Sequence, residues 1–205
     1  MRRAQESDQA FMRNNTYLKL DSIYKKYKGY VGTKELMLEG FSNRQIAVLA
    51  EEGYLEKVCY GYYWLAGGEC GKPIDYKCIE VCLSDPRAVI CMDSAIYYQG
   101  GMTEEPEYLS VATQRTDRSL LNMNFLIKRH YFSDKNFKTG IRKRDTEFGS
   151  YNIYDVERSV CDMMRFEQKI EIEIMDKVRE NEQQYERVLQ YAKLLRIKQP
   201  FLSQH

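Results

Sequence analysis

Histidine is scarce in this 205-residue chain, which has only His130 and His205, and none of its six cysteines stands in a C-x-x-C pair. Serine–histidine and cysteine–histidine catalysis therefore have little to draw on, and an all-cysteine zinc site would need atypical spacings. Cys78, Cys82, Cys91 and Cys161 lie among apolar residues, which points to reduced core thiols. Long apolar runs are missing too, as is the apolar segment of a signal peptide, so a cytoplasmic protein with no membrane contact is expected. No glycine loop of the phosphate-cradling type occurs, and no cofactor or metal is expected.

What is present is a compact device over residues 33–65. Thr33 opens a short helix that ends at Gly40. Ser42-Asn43-Arg44-Gln45 opens a second, with Ile46, Leu49 and Ala50 at helical spacing and a stop at Gly53. Two β-type runs, 54–58 and 62–65, are joined through Cys59-Tyr60-Gly61. Upstream, Leu20, Ile23, Tyr24 and Tyr27 form the apolar stripe of an amphipathic helix, and 28–32 holds a turn and a short strand. Residues 1–13 have no periodicity and read as a frayed tail. Helix, turn, helix and hairpin is the order of a winged helix-turn-helix, which sets its second helix into the DNA major groove.

On a 100° helical projection, Ile46, Leu49 and Ala50 face inward, leaving Arg44 and Val48 on the exposed side with Gln45 at its flank. The candidate DNA contacts are Ser42, Asn43, Arg44 and Gln45, with Lys57, Tyr60 and Tyr62 from the hairpin. Arginine pairs with guanine O6 and N7, and glutamine with adenine. Ser42 and Gln45 also have capping-box spacing, in which Gln45 folds back on the helix start, so both uses of Gln45 stay open. Glu51 and Glu52 repel phosphate, so the helix is expected to enter the groove by its N-terminal end.

The glycine-rich stretch 66–73 divides the chain into domains 1–68 and 69–205. The second reads as mixed α/β, making the whole chain α+β: a helix over 75–83, a strand at 89–92, a helix capped by Ser94 and running to Gly100, strands at 107–113, 124–132, 139–145 and 150–154, and three closing helices. Its charge is uneven. Residues 115–144 hold nine Lys/Arg against two Asp/Glu, a net +7, between two acidic blocks. The cations are Arg115, Arg118, Lys128, Arg129, Lys135, Lys138, Arg142, Lys143 and Arg144. If 124–132 pairs with 139–145, this stretch is a basic hairpin, either a surface for phosphates or an acidic partner, or a solvated edge that resists aggregation.

Asp155, Glu157 and Asp162 invite a Mg²⁺ reading, and Gly149-Ser150 precedes them as in nucleotidyltransferases. The spacing is too short for that signature. Asp155 as an N-cap with Glu157 in the first turn accounts for both acids by helix-end electrostatics.

Three pieces carry a likeness to a known family: residues 40–45 leading into Glu52-Gly53-Tyr54-Leu55-Glu56-Lys57-Val58, then Gly61-Tyr62-Tyr63-Trp64-Leu65, and Ile153-Tyr154-Asp155-Val156-Glu157-Arg158-Ser159-Val160-Cys161-Asp162 with a later Leu189-Gln190-Tyr191-Ala192. In this order, over about residues 16–200, the chain resembles the AbiEi antitoxins of type IV abortive-infection toxin–antitoxin systems. The resemblance implies a non-enzymatic phage-defence antitoxin whose winged helix represses its own operon at operator DNA, with inverted repeats as the expected site. It also implies a C-terminal domain that counteracts a nucleotidyltransferase toxin without a stable complex; charge makes Arg115, Arg118, Lys128, Arg129, Lys138, Arg142, Lys143 and Arg144 the candidate surface for this. Tyr60 and Trp64 stand where the family often has basic or polar residues. The competing classes are an Mg²⁺-dependent nuclease or nucleotidyltransferase with a DNA-binding arm, and a ligand-sensing repressor.

Overall fold

The computed structural model describes residue 16, residues 18–66 and residues 71–197. The tail at 1–13 and the expected boundary between 68 and 69 lie outside the described residues. The chain divides into two compact units, Met1–Tyr76 with Thr146–Gly149, and Lys77–Asp145 with Ser150–His205.

The first unit begins with helix α1 (18–27), followed by β1 (Tyr30–Gly32), α2 (Thr33–Leu38), α3 (Asn43–Glu51), β2 (Leu55–Cys59) and β3 (Tyr62–Leu65). β3 lies at the centre of an antiparallel sheet of order β1-β3-β2. The apolar stripe of α1 supplies Leu20 and Ile23 to a core shared with Val31, Leu36, Phe41, Ile46, Leu49, Leu55 and Leu65. Trp64 is buried and meets Tyr30 and Tyr24 edge-on, with ring centroids 4.8 and 6.2 Å away. Gly29, at φ +92°, is required there because a Cβ would collide with the indole.

The second unit is a five-stranded mixed sheet with helices. Its elements are α4 (Tyr76–Ser84), β4 (Val89–Ile90), α5 (Met92–Tyr97), β5 (Leu109–Gln114), β6 (Ile127–Phe132), α6 (Asp134–Phe137), β7 (Ile141–Asp145), β8 (Ser150–Tyr154), α7 (Val156–Arg165), α8 (Ile172–Glu180) and α9 (Glu182–Leu195). The strand order is β6-β5-β4-β8-β7. The two-residue β4 is central, antiparallel to β5 and parallel to β8. β6 runs parallel to β5, and β7 antiparallel to β8. Val89, Ala112, Phe132 and Tyr154 share one core with residues of α5, α7, α8 and α9, while pleat alternation directs Ile90, Val111 and Ile153 to the opposite face. No helix among the described residues is long and apolar enough to cross a membrane.

Three expectations need correction. Strands 124–132 and 139–145 do not pair: β6 and β7 are the two opposite edges of the sheet, and 133–140, with the short α6, crosses between them. Ser94 does not cap α5, whose N-cap is Cys91; the Ser94 hydroxyl instead accepts from the Ser110 N–H at 2.9 Å and donates to the Tyr108 carbonyl at 3.2 Å. The spacing of Ile170, Ile174 and Val178 predicts that all three belong to the second closing helix, but Ile170 precedes α8, which begins at Ile172.

Candidate functional site

In the first unit the start of α3 is tightly built. Ser42 Oγ accepts from the Gln45 N–H at 3.3 Å, and Gln45 Oε1 accepts from the Ser42 N–H at 2.8 Å and the Ser42 hydroxyl at 2.9 Å. The capping box therefore forms, and the Gln45 carbamoyl oxygen is committed to the helix end rather than to an adenine. Asn43 and Arg44 are exposed on the first turn, while Ile46 and Leu49 are buried beneath. The β2–β3 turn carries Tyr60, 97% exposed and the most open of the large apolar side chains in the described residues. That turn is anchored: Gly61 adopts φ +81°, and its carbonyl accepts from the Thr33 N–H at 2.8 Å and the Thr33 hydroxyl at 3.3 Å. A register shift between Lys57 and Cys59 marks a bulge beside it. Lys57 is exposed, Tyr62 is half-buried and Tyr63 packs against the core.

In the second unit the basic stretch is dispersed. Arg115, Arg118, Lys128, Lys135 and Lys138 are exposed along β6 and its flanking loops, whereas Arg142, Lys143 and Arg144 are exposed on β7 at the other edge. Arg129 does not belong to an open surface. Its guanidinium donates to Thr113 Oγ1 at 2.8 Å, the Ser119 carbonyl at 2.5 Å and Ser119 Oγ at 3.2 Å, and it lies 3.5 Å from Asp117. At the other edge, Arg142 is 3.7 Å from Asp155, Lys143 is 3.0 Å from Asp145, and Arg144 donates to the Tyr98 carbonyl at 2.7 Å.

The segment 153–162 is a fastening. Asp155 caps α7 by accepting from the Arg158 N–H at 3.0 Å and also accepts from the Tyr191 hydroxyl at 3.0 Å. Arg158, with no exposed surface, donates to Asp162 Oδ2 at 2.7 Å and to the carbonyls of Asn136 and Thr139 at 2.7 and 2.8 Å. Its guanidinium also lies 4.4 Å from the Tyr154 ring centroid, and the Tyr154 hydroxyl donates to the Phe137 carbonyl at 2.6 Å. Every one of these bonds to 136–139 holds down the segment that crosses the sheet. Glu157 points elsewhere, accepting from Arg187 at 3.3 Å. The acids of this segment therefore do not converge, and no group of three or more potential metal ligands occurs among the described residues.

A second charged centre was invisible to sequence reasoning. Asp85 and Asp117 are both buried; Ser119 bridges them, its hydroxyl donating to Asp85 Oδ2 at 2.9 Å and its N–H to Asp117 Oδ1 at 2.7 Å, while Arg87 donates to Asp117 Oδ2 at 3.1 Å. The one available signal was that Asp117 is one of only two acids in 115–144. Burial pushes the Asp117 carboxyl up, but the bonds from Ser119 and the charge of Arg87 outweigh it and hold the group at about 2. At Asp162 burial prevails over Arg158 and raises the carboxyl to about 6. Burial also pushes the Cys82 thiol up to about 11 and that of Cys161 to about 12, so neither is a ready thiolate. Compared with known protein families and with curated proteins, the chain matches none.

Proposed function

We propose that the first unit is a winged helix-turn-helix that binds operator DNA, and that the chain is an antitoxin that represses its own operon and counteracts a nucleotidyltransferase toxin. The observation that carries the DNA reading is the order α1, β1, α2, α3, β2, β3 with the sheet β1-β3-β2, combined with an exposed Arg44 on the first turn of a capped α3. In this reading α3 enters the major groove by its N-terminal end, with Arg44 as the base reader and Ser42 and Asn43 beside it. Tyr60, Tyr62 and Lys57 on the hairpin meet the backbone. Gln45 serves the helix cap.

Arg44→Ala is expected to weaken operator binding by about 1–3 kcal/mol and relax preference at one base pair, whereas Lys57→Ala weakens all sequences alike and flattens the salt dependence. Gel-shift titrations on operator and scrambled duplexes at several salt concentrations test this. Operator affinity unchanged by Arg44→Ala removes α3 from the interface.

The antitoxin part rests on the resemblance of 153–162 and 189–192 to AbiEi proteins. Because β6 and β7 are opposite edges, the candidate surface separates into Arg142, Lys143 and Arg144 on one side and Arg115, Arg118 and Lys128 on the other, with Lys138 on the crossing between them. Charge reversal of each set, scored by growth rescue beside the toxin with thermal stability checked, identifies the active edge. Full rescue by both folded variants leaves the charges as guards against edge-to-edge aggregation.

A further inference from the structure

A cleft of about 350 Å³ opens in the second unit between the start of α5, β6 and the segment joining α7 to α8. Its apolar lining is Met102, Met163 and Ile174, and its charged lining is Asp93, Lys128, Lys169 and Glu171. This volume falls in the range of small-molecule sites, in which an apolar wall and a few fixed polar groups set orientation.

Asp93 is such a fixed group. Its Oδ1 accepts from the Ser94 N–H at 2.7 Å and from the Ser110 hydroxyl at 2.9 Å, with Ser94 and Ser110 both buried. Its Oδ2 has no partner among the described residues. Asp93 follows Met92, a fully buried residue held at φ +54°, a conformation that is unfavourable for a methionine and that sets the direction in which α5 leaves β4. Lys128, Lys169 and Glu171 likewise have no ion-pair partner among the described residues. Four charges, two of each sign, thus line one cleft without neutralising each other within ion-pairing distance. A ligand that carries both signs finds an opposite charge for each of its own groups, whereas one with a single charge engages only one of the two sets.

We infer that this cleft binds a free α-amino acid with an apolar side chain, its ammonium on Asp93 Oδ2, its carboxylate on the Lys128 and Lys169 ammonium groups, and its side chain against Met102, Met163 and Ile174. Methionine-lined walls adapt to unbranched and branched side chains alike, so selection falls on the two charged groups. The site is independent of the DNA-binding reading, since all its residues belong to the second unit.

Calorimetric titration of the full chain with L-methionine and L-leucine tests the assignment, with the matching amino-acid amides (no carboxylate) and N-acetyl amino acids (no ammonium) as the other two arms. Saturable binding of the free amino acids is expected, weakened about tenfold or more in each analogue arm, since removing one charge-assisted contact has an effect of that order. Lys128→Met, at an exposed position, and Asp93→Asn, which keeps the Oδ1 acceptor, are expected to lower affinity about as much, with unchanged circular dichroism. No saturable heat up to about 10 mM ligand overturns the proposal, as does equal binding of the amide or the N-acetyl form. The analogue arms use the unmodified chain and decide the question even if a variant fails to fold.

Discussion

Asp117 and Asp162 are both buried carboxylates of the second unit, and both face arginine, yet one is held at about 2 and the other at about 6. Asp117 lies among short donors: the Ser119 N–H, Arg87 and, at 3.5 Å, Arg129. Asp162 has one donor, Arg158, and its Oδ1 is buried without a hydrogen-bond partner, as is Arg158 Nη2. Removing water from a carboxylate is thus compensated at the first site and undercompensated at the second. Charge of opposite sign nearby is not enough to hold a buried acid at its ordinary proton affinity. The number of donors reaching both of its oxygens decides the outcome.

The comparison breaks most visibly at Arg158. Arg158→Leu leaves a buried acid alone and releases the carbonyls of Asn136 and Thr139, and a loss of about 3–5 kcal/mol in urea unfolding is expected. Arg158→Leu with Asp162→Leu is expected to recover part of that loss, because no unpaired charge remains inside. At the other centre, Arg129→Gln is expected to destabilise by about 1.5–3 kcal/mol, since Asp117 keeps Ser119 and Arg87. An equal loss for Arg158→Leu and Arg129→Gln in parallel unfolding curves would erase the distinction drawn between the sites.

A smaller and sharper effect is the dependence on pH. Asp162 is raised from 3.8 to about 6, so its contribution is fully present below the unfolded value and is lost as pH rises through about 6. Asp117 is lowered from 3.8 to about 2, so its contribution is present above the unfolded value and is lost as pH falls through about 2. Asp162→Asn is therefore expected to abolish a decline in the urea midpoint between about pH 4 and 6, and Asp117→Asn to flatten the loss below about pH 4. Identical pH profiles for the two variants would mean that the sites do not differ.

Local structure was legible where the sequence repeats at the period of its element. The stripe of Leu20 and Ile23 in α1, the inward face of α3 and the span of β8 stand where spacing puts them, because burial of one face fixes each of them. The α3 cap was legible as two alternatives, and geometry selected the box. Sheet order was not legible. Two basic runs close in sequence suggested a hairpin, but pairing is decided by which strands share a core: β4 has only two residues, too few to display a period, and it alone separates β5 from β8. The charged centre at Asp117 was hidden for the same reason. Asp85, Arg87, Asp117, Ser119 and Arg129 come together only once β4, β5 and β6 are side by side. Arg129 then leaves the candidate surface, although its charge made it indistinguishable in sequence from Lys128.

The crossing of 133–140 also bears on the order in which the second unit can assemble. A nascent chain that has emerged through residue 145 already contains β7 but not β8, the strand it pairs with, nor Arg158, Tyr154 and Asp155, which hold the crossing backbone, Asp155 by its N–H to the Gly140 carbonyl at 2.9 Å. β4 at that moment has one neighbour of its two. The exposed edge waits for residues 150–162, and until they arrive the β7 segment is an unpaired strand carrying three consecutive cations, Arg142, Lys143 and Arg144, whose mutual repulsion disfavours stacking against another copy. The same charges that are candidates for function in the finished protein thus shield it while it is still being made.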